Sequence, residues 1–352
     1  MEIKKEHTHL IPFLLALAAA ALFGLAAPAS KVLLESLNPV SLAGLLYLGA
    51  SLGLFPVLAS RKEFRSTAKM DRGNLGKLAG AVVLGGMAGP ILLLIGLKQA
   101  SASSVSLWLN LEMAATALLG LLLFREHLGL FGSGGILLAL ASGIILALPE
   151  GTSGRTSALC VGLACLCWGF DNHFTALIDG ISAVQSTFIK GLVAGTVNFF
   201  AGYLVWGTLP RAGTLFAALA LGSVAYGMSI VLYIISAQRL GATRSQVIFS
   251  GAPFFGVLFS VMVLSESVSG LQWISMILFL ASVALLALER HEHLHRHRAV
   301  EHTHFHRHDD LHHDHEHEGD VSYHEHSHRH EGTTHSHPHW PDLHHRHEHD
   351  DH

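Results

Sequence analysis

The sequence predicts an all-α membrane protein with ten transmembrane helices, arranged as two inverted five-helix repeats and followed by a disordered tail. Three observations lead to this fold class. Half of the 352 residues are apolar and only 14% are charged, which is too little charge for the surface of a soluble domain. Apolar runs of roughly 20 residues, the length that crosses ~30 Å of hydrocarbon, recur along the chain. The two halves of this apolar region also resemble each other.

The apolar runs fall into two groups of five. A polar N-terminus at residues 1–10 precedes the first repeat, residues 11–148, and a linker at 149–156 leads to the second repeat, residues 157–288. The first group begins at Ile11 and continues near 39–59, 75–97, 101–124 and 128–148. The second group lies near 157–178, 182–207, 213–237, 242–264 and 269–288. The first run is long and many similar runs follow it, so we interpret it as a spanning helix rather than a signal peptide.

Basic residues near helix ends predict the orientation, because Lys and Arg there stay on the cytoplasmic side. The densest basic cluster lies in the connection between the second and third runs: Arg61, Lys62, Arg65, Lys69, Arg72 and Lys77. Lys4 and Lys5 fall on the same side as this connection. Both termini are therefore expected in the cytoplasm.

The two halves repeat at a constant offset in residue number. This offset aligns Leu140-Ala141-Ser142 with Leu280-Ala281-Ser282, and Glu126 with Glu266. Because each unit has an odd number of helices, the second copy enters the membrane from the opposite side. Inverted repeats of this kind place the solute of a secondary transporter near the bilayer midplane. The repeat therefore favours transport over a simple membrane anchor.

Two matched stretches resemble the EamA-like branch of the drug/metabolite transporter superfamily, over about residues 1–288. They are Gly96-Leu97-Lys98-Gln99-Ala100-Ser101-Ala102 leading to Leu123-Phe124-Arg125-Glu126, and Gly241-Ala242 leading through Pro253 to Glu266. The resemblance implies a bacterial or archaeal inner-membrane secondary transporter, with cytoplasmic termini and a central cavity that opens to either side in turn. Pro253 matches an early proline of many relatives, whereas Met113 occupies the aligned position of the first half.

The stretch from Trp168 to Asn198 carries polar residues that a simple spanning segment would avoid. Charged groups at bilayer depth are costly and by default suggest a functional site. Asp171 and Lys190 are each expected roughly 10 to 12 Å from the cytoplasmic helix ends, so they could pair across adjacent antiparallel helices. The pair would either fix helix packing or serve gating and solute contact. His173 is expected at the membrane interface.

Glu112 is the sharper candidate for a transport residue. It lies near the middle of its predicted helix, with Asn110 beside it and no basic residue within a turn. A carboxyl group in that position is suited to carry a proton or to hold a cationic solute. The alternative is a protonated acid that hydrogen-bonds to a neighbouring helix.

Further polar side chains in the predicted helices could line the same pathway. They are Asn172, Asn198, Tyr226 and Ser229. Polar contacts between helices explain Tyr226 and Ser229 equally well. Lys31, near the outer end of the first helix, is expected to extend to the membrane interface.

The tail at residues 289–352 differs from the rest of the chain. It holds 24 of the 28 histidines, and its 6 Lys and Arg stand against 15 Asp and Glu, whereas residues 1–288 hold 16 against 11. Alternating imidazoles bind zinc, nickel, cobalt or copper. The candidate ligands are His302, His304, His306, His308, His312, His313, His315, His317, His335, His337 and His339. A solvated low-complexity tail and a pH-responsive segment are the alternatives.

Three functions remain open from the sequence. The first is an exporter of a small metabolite whose tail senses or buffers metal, the second a transporter of a divalent metal or its chelate, and the third a membrane-anchored metal store. No nucleotide-binding loop or hydrolytic constellation occurs in the sequence, so neither an ATP-driven pump nor an enzyme is expected, and no cofactor is required. The expected partners are the lipid bilayer and a small-molecule or metal-ion substrate, without nucleic acid; whether the chain forms a homodimer stays open.

Overall fold

The computed structural model describes residues 3–61, 71–123, 129–147, 151–178, 181–240, 242–288, 291–296, 300–306, 324–330 and 334–339. The helices of the first half are α1 (Ile3–Gly24), α2 (Ala26–Leu33), α3 (Pro39–Arg61), α4 (Arg72–Ala81), α5 (Gly89–Gln99), α6 (Ala102–Trp108), α7 (Leu111–Leu123) and α8 (Leu130–Ala147). Those of the second half are α9 (Gly151–Ala176), α10 (Ala183–Trp206), α11 (Ala212–Leu221), α12 (Ser229–Leu240), α13 (Ala242–Phe249), α14 (Ala252–Leu264) and α15 (Gly270–Leu288).

Seven helical stretches among the described residues are long and apolar enough to cross a membrane. They are Leu10–Leu33, Pro39–Ser60, Arg72–Gln99, Ala102–Leu123, Leu130–Ala147, Ala183–Trp206 and Ala212–Ala237. Two shorter apolar helices are Ala252–Leu264 and Gly270–Leu286. The long helix α9 contains the polar sequence Asp171-Asn172-His173. The number of long apolar helices shows that the protein is a multi-pass membrane protein.

The elements of the two halves recur at the spacing expected from the sequence repeat. A π-helical segment at Val82–Ala88 joins α4 to α5, and a second at Gly222–Met228 joins α11 to α12. The offset that aligns Glu126 with Glu266 also carries the first segment onto the second. A π turn leaves backbone groups out of the regular ladder and often marks a functional position. The third helix of each half is thus widened at the same place.

The two halves interlock through their first helices. Helix α1 packs against α12, α13 and α14 of the second half, and α9 packs against α5, α6 and α7 of the first half. The main apolar core lies between the halves and includes Trp108 and Phe279, both fully buried. Each first helix therefore belongs structurally to the opposite half.

Close backbone contact holds this centre together. A Cβ atom on Gly24 of α1 would lie 2.6 Å from the carbonyl oxygen of Ala252 in α14, and one on Gly195 of α10 would lie 2.7 Å from the amide nitrogen of Leu48 in α3. Lipid-embedded helices pack by such small residues, because apolar side chains gain nothing by leaving lipid.

Two helices that the sequence predicts as continuous are broken. The run at 101–124 divides between Trp108 and Leu111, and the run at 242–264 divides between Phe249 and Ala252. At the second break, Pro253 has no backbone N–H, so it cannot donate the hydrogen bond that would continue the preceding helix. In the first, Asn110 Nδ2 donates to Leu107 O over 3.1 Å and so occupies a carbonyl that would continue the helix. Broken helices at membrane depth line cavities or lie buried in protein.

The tail contains regular structure where the sequence predicts disorder. Strands β1 (His291–Arg296) and β4 (Thr334–His339) pair antiparallel, as do β2 (Val300–His306) and β3 (His324–His330). The expectation of disorder rested on the missing apolar face. The alternation of histidine with other residues instead has the period of two that suits a strand.

Candidate functional site

Asp171 and Lys190 form an ion pair between α9 and α10. Lys190 Nζ lies 2.5 Å from Asp171 Oδ2, and Thr175 Oγ1 donates to Asp171 Oδ1 over 3.0 Å. Asp171 is only 5% exposed. The expected pairing is therefore present, and each charge is balanced at membrane depth, where an unpaired charge would cost several kcal/mol.

The first π-helical segment lies directly beside this pair. Its Gly85 carbonyl oxygen accepts hydrogen bonds from Tyr47 Oη at 2.7 Å and from Trp168 Nε1 at 3.0 Å. Asn198 Nδ2 donates to the next carbonyl, that of Gly86, over 3.2 Å. Side chains from α3, α9 and α10 thus satisfy the carbonyl groups that the π turn releases.

Gly85 also allows Asp171 to approach the π turn. A Cβ atom at residue 85 would overlap the Asp171 carboxylate. No other residue type fits here without moving the acid, so the ion pair and the π-helical segment form one unit.

Glu112 lies in the first turn of α7, immediately after the helix break. Asn172 Nδ2 donates to Glu112 Oε1 over 3.2 Å and to Thr116 Oγ1 over 3.1 Å. The sequence placed Glu112 inside a continuous helix. Its actual place at a helix N-terminus is favourable for a carboxylate, because the first backbone N–H groups carry partial positive charge.

The group formed by Glu112, Thr116 and Asn172, here called the Glu112 site, lies at the contact between α7 and α9. Asn172 is exposed, as are Leu159, Leu163 and Leu166 of the same helix. Asn172 lies about two and a half helical turns beyond Leu163, and so on the opposite face of the helix from that leucine. On this face its amide contacts Glu112 and Thr116 of α7.

His173, which was expected at the membrane interface, is buried between two helices. It is 4% exposed, and its Nε2 lies 3.0 Å from the Thr116 carbonyl oxygen. Helix α7 packs against α9 at this level and covers the imidazole. The ring therefore contributes to the contact between the two helices beside the Glu112 site.

Three predicted pathway residues are buried with partners instead of lining accessible space. Asn110 bonds within its own segment, and Asn198 holds the π turn. Ser229 is fully buried and donates to Ala19 O of α1 over 2.9 Å. For Ser229 this is the helix-contact role that the sequence left open, and the two asparagines make contacts of the same kind in this arrangement.

Tyr226, on the second π-helical segment, belongs to an aromatic group at the centre. Its ring centroid lies 5.6 Å from that of Phe23 and 6.0 Å from that of Tyr47. Tyr47, Phe23 and Thr116 could not be predicted as members of this region, because nothing in an apolar run distinguishes them. The adjacent glycines at 85 and 86 were the one local signal of the π turn.

No group of three or more His, Cys, Asp or Glu residues is arranged to hold a metal ion in the described part of the chain. Of the predicted tail ligands, five fall outside the described residues: His308, His312, His313, His315 and His317. The other six, His302, His304, His306, His335, His337 and His339, lie on strands. In the strand register, each of these six is opposite another histidine.

The profile of the EamA-like transporter family matches the chain twice, over residues 10–148 and 155–288. A relative from Methanothermobacter thermautotrophicus, described as an uncharacterized transporter, is 28% identical over 294 residues, which span 76% of this chain and 83% of the relative. A solved crystal structure with 16% identity has a similar fold, with a TM-score of 0.59 over 80% of this chain and 98% of that one. The chain therefore belongs to the EamA-like transporter family.

Proposed function

We propose that this membrane transporter is a secondary exporter of a small organic solute, working by alternating access. In this proposal ten helices form two inverted five-helix repeats in the inner membrane of a prokaryotic cell, with both termini in the cytoplasm. The regular recurrence of elements in the two halves and the way the halves interlock support the repeat. Two related halves can exchange between two arrangements, which alternating access requires.

The observation that carries this proposal is the acid beside a broken helix. The Glu112 site lies in the part of the molecule that contains α4, because Phe174, two residues after Asn172 on α9, lies against Gly80 of α4. Helix α4 begins beside the basic connection assigned to the cytoplasm. An exporter takes up its solute from this side.

The arrangement at Glu112 fits a proton or a cationic group. Lys190 is engaged with Asp171, while the Glu112 carboxyl receives a hydrogen bond from the neutral Asn172 amide. A carboxyl group bonded to a neutral donor keeps its capacity to bind a positive charge. We therefore assign Glu112 as the coupling or solute-binding acid, and Asn172 and Thr116 as the groups that position it.

A comparison of exported metabolites tests this assignment. Cells producing the wild-type protein or Glu112→Gln are incubated at several values between pH 5 and 8, and their media are compared by mass spectrometry. A solute that accumulates with the wild type should be lost, or lose its pH dependence, in the variant. Glu35→Gln, which alters an exposed acid in the turn after α2, is the matched control. Equal export by Glu112→Gln across this pH range would refute the assignment.

A second candidate function is transport of a divalent metal or its chelate, which the tail collects at the cytoplasmic mouth. The strand register favours it. The opposed histidines are His291 with His339, His293 with His337, His295 with His335, His302 with His328, His304 with His326, and His306 with His324. Directly opposed residues of antiparallel strands have Cα atoms ~4.5 to 5.5 Å apart. Two histidines at that spacing are a frequent start of a zinc, nickel, cobalt or copper site.

Metal content separates the candidates. Cells with the full-length protein are compared with cells carrying a truncation at Glu289. A metal transporter should change cellular zinc, nickel, cobalt or copper in a tail-dependent way, while a solute exporter with a sensing tail should not require the tail for basal export. A store anchored in the membrane would hold metal without any flux, and the interlocked repeats and the buried ion pair weigh against it. Unchanged contents of all four metals with both proteins would eliminate metal transport.

A further inference from the structure

A set of hydrogen bonds joins the two halves at the end of the molecule opposite the basic connection. Glu266, in the turn between α14 and α15, accepts from the backbone N–H of Ala102 at 2.8 Å and of Ser103 at 2.9 Å, one with each carboxylate oxygen. Gln272 Nε2 donates to the hydroxyls of Ser103 at 3.0 Å and Ser104 at 3.1 Å. We call these contacts the Glu266 lock.

The lock connects different repeats. Glu266 and Gln272 belong to the second half, and the start of α6, which they hold, belongs to the first. Gln272 is 6% exposed, and all of α6 is buried. A carboxylate bound to backbone N–H groups makes charge-assisted hydrogen bonds, which are stronger than neutral ones.

Lys31 strengthens the same region from the other side of the α5–α6 turn. Its Nζ donates to the carbonyl oxygens of Leu97 at 2.6 Å and Ala100 at 2.8 Å. Lys31, which was expected to extend to the membrane interface, thus binds the carbonyl groups at the end of α5, which have no partner within that helix. A cation on the helix C-terminus and the anion Glu266 on the following N-terminus both complement the backbone dipoles.

The lock and the Glu112 site lie at different depths. Ser157 of α9 donates to Gly96 O near the lock over 2.8 Å, and Asn172 lies further along the same helix. At ~1.5 Å per residue, the rise from Ser157 to Asn172 is about 22 Å. The structure thus has a contact between the halves at one end of the molecule, and the acid lies about 22 Å nearer the other end along α9.

We infer that the Glu266 lock is the outer gate, which closes this end while the Glu112 site is open to the cytoplasm, and which must break for the solute to leave. The inference rests on the proposed alternating access. A gate must join parts that separate, must lie beyond the solute site, and must break without unfolding either half. The lock meets these conditions, because its hydrogen bonds run between the repeats, and the α6 helix it holds ends before Leu111.

A gate and a permanent structural cap predict different effects. Weakening a cap would lower stability without opening the protein. Weakening a gate shifts the population towards the outward-open arrangement, by as much as the closed state loses in interaction free energy. The accessibility of a buried position beneath the lock therefore distinguishes them.

Ser106 provides that position. It is 1% exposed, lies one turn beyond Ser103 on α6, and its hydroxyl has no hydrogen-bond partner among the described residues, so cysteine replaces it without losing a bond. Ser106→Cys is introduced after Cys160, Cys165 and Cys167 are changed to alanine. Labelling by a membrane-impermeant maleimide is then timed in intact cells and in inside-out vesicles.

Glu266→Gln should raise the rate of labelling from the outer side, measured in intact cells, by about tenfold. This is the change expected when one charge-assisted hydrogen bond is lost. Gln272→Leu, which removes the other half of the lock without changing charge, should act in the same direction. Glu35→Gln, at an exposed acid, should leave the rate unchanged.

The inference that the lock is a gate would be overturned if Ser106→Cys were labelled at the same rate with and without the lock substitutions. The compared proteins must each elute as a single species in detergent. If Glu266→Gln does not fold, Gln272→Leu decides alone. The measurement needs no solute, so this outcome would leave the transport proposal standing. Conversely, if the protein is found to export no solute, the lock substitutions should still raise the labelling rate, because labelling does not depend on transport.

Discussion

Removing one partner of the Asp171–Lys190 pair should destabilise the protein strongly. Their side chains are 7% and 13% exposed, and Lys190 Nζ lies 2.5 Å from the carboxylate. Lys190→Met would leave the acid buried beside Gly85, with Thr175 as its remaining side-chain donor among the described residues. Loss of one member of a buried pair costs about 3 to 5 kcal/mol, because the remaining charge is uncompensated.

Replacing both partners should restore most of this loss. The double variant Asp171→Asn with Lys190→Met contains no buried charge at this position, and neutral replacements of similar volume are often tolerated. We expect its free energy of unfolding to lie within about 1 kcal/mol of the wild type. Since the two side chains touch, the single changes should not add, and their coupling energy should be about 2 kcal/mol or more.

Unfolding in a detergent–denaturant series, followed by circular dichroism, measures the four proteins of this cycle. Lys98→Met, which changes an exposed lysine in the last turn of α5, is the control and should shift stability by less than about 0.5 kcal/mol. Single variants that lose little stability, with effects that simply add, would refute the reasoning that the pair is desolvated and coupled.

The same cycle separates the two roles of the pair. If it only fixes helix packing, the double variant should export at the wild-type rate once its stability is restored. If the pair takes part in gating, the double variant should be as stable as the wild type but should export its solute more slowly. Export by reconstituted protein, measured beside stability, decides between them.

Two further predictions concern helix contacts. Gly85→Ala should lower the free energy of unfolding by about 1 to 3 kcal/mol, because the new methyl group would occupy the position of the Asp171 carboxylate. The control Gly162→Ala, where nothing lies within 4 Å, should leave stability unchanged or raise it by up to about 1 kcal/mol. Equal thermal stability of the two variants would contradict this prediction. Ser142→Ala should cost about 0.5 to 1.5 kcal/mol, because its hydroxyl donates to Ser275 O over 2.9 Å between α8 and α15; a denaturation midpoint unchanged from wild type would show that this bond contributes nothing.

Much of the fold could be predicted because the bilayer restricts the alternatives. Backbone groups in hydrocarbon must be satisfied within the chain, so an apolar run of sufficient length becomes a helix. The offset between Glu126 and Glu266 also anticipated the spacing of the two π-helical segments. The pairing of Asp171 with Lys190 followed from depth alone, because an uncompensated charge there is too costly.

The sequence left the contacts of some polar groups open, because neighbouring helices decide them. Whether Asn110 lines a cavity or bonds to Leu107 depends on a helix break that leaves little trace in local composition. Lys31 was expected to extend to the membrane interface, and its carbonyl partners could not be foreseen. The packing of α2 against α5 brings its ammonium group to the carbonyls at the end of α5.

The sequence by itself determined the membrane class, the family and its double occurrence along the chain, because these depend on composition and spacing. It also supplied the acids and amides that are candidates for the site. The tertiary structure decided which of those groups meet. It placed Glu112 at a helix N-terminus beside Asn172, put Asp171 against the Gly85 turn, and joined Glu266 to the opposite repeat. Each of these contacts joins groups that are distant along the chain. They follow from how the two halves interlock, a property that no local stretch of sequence carries.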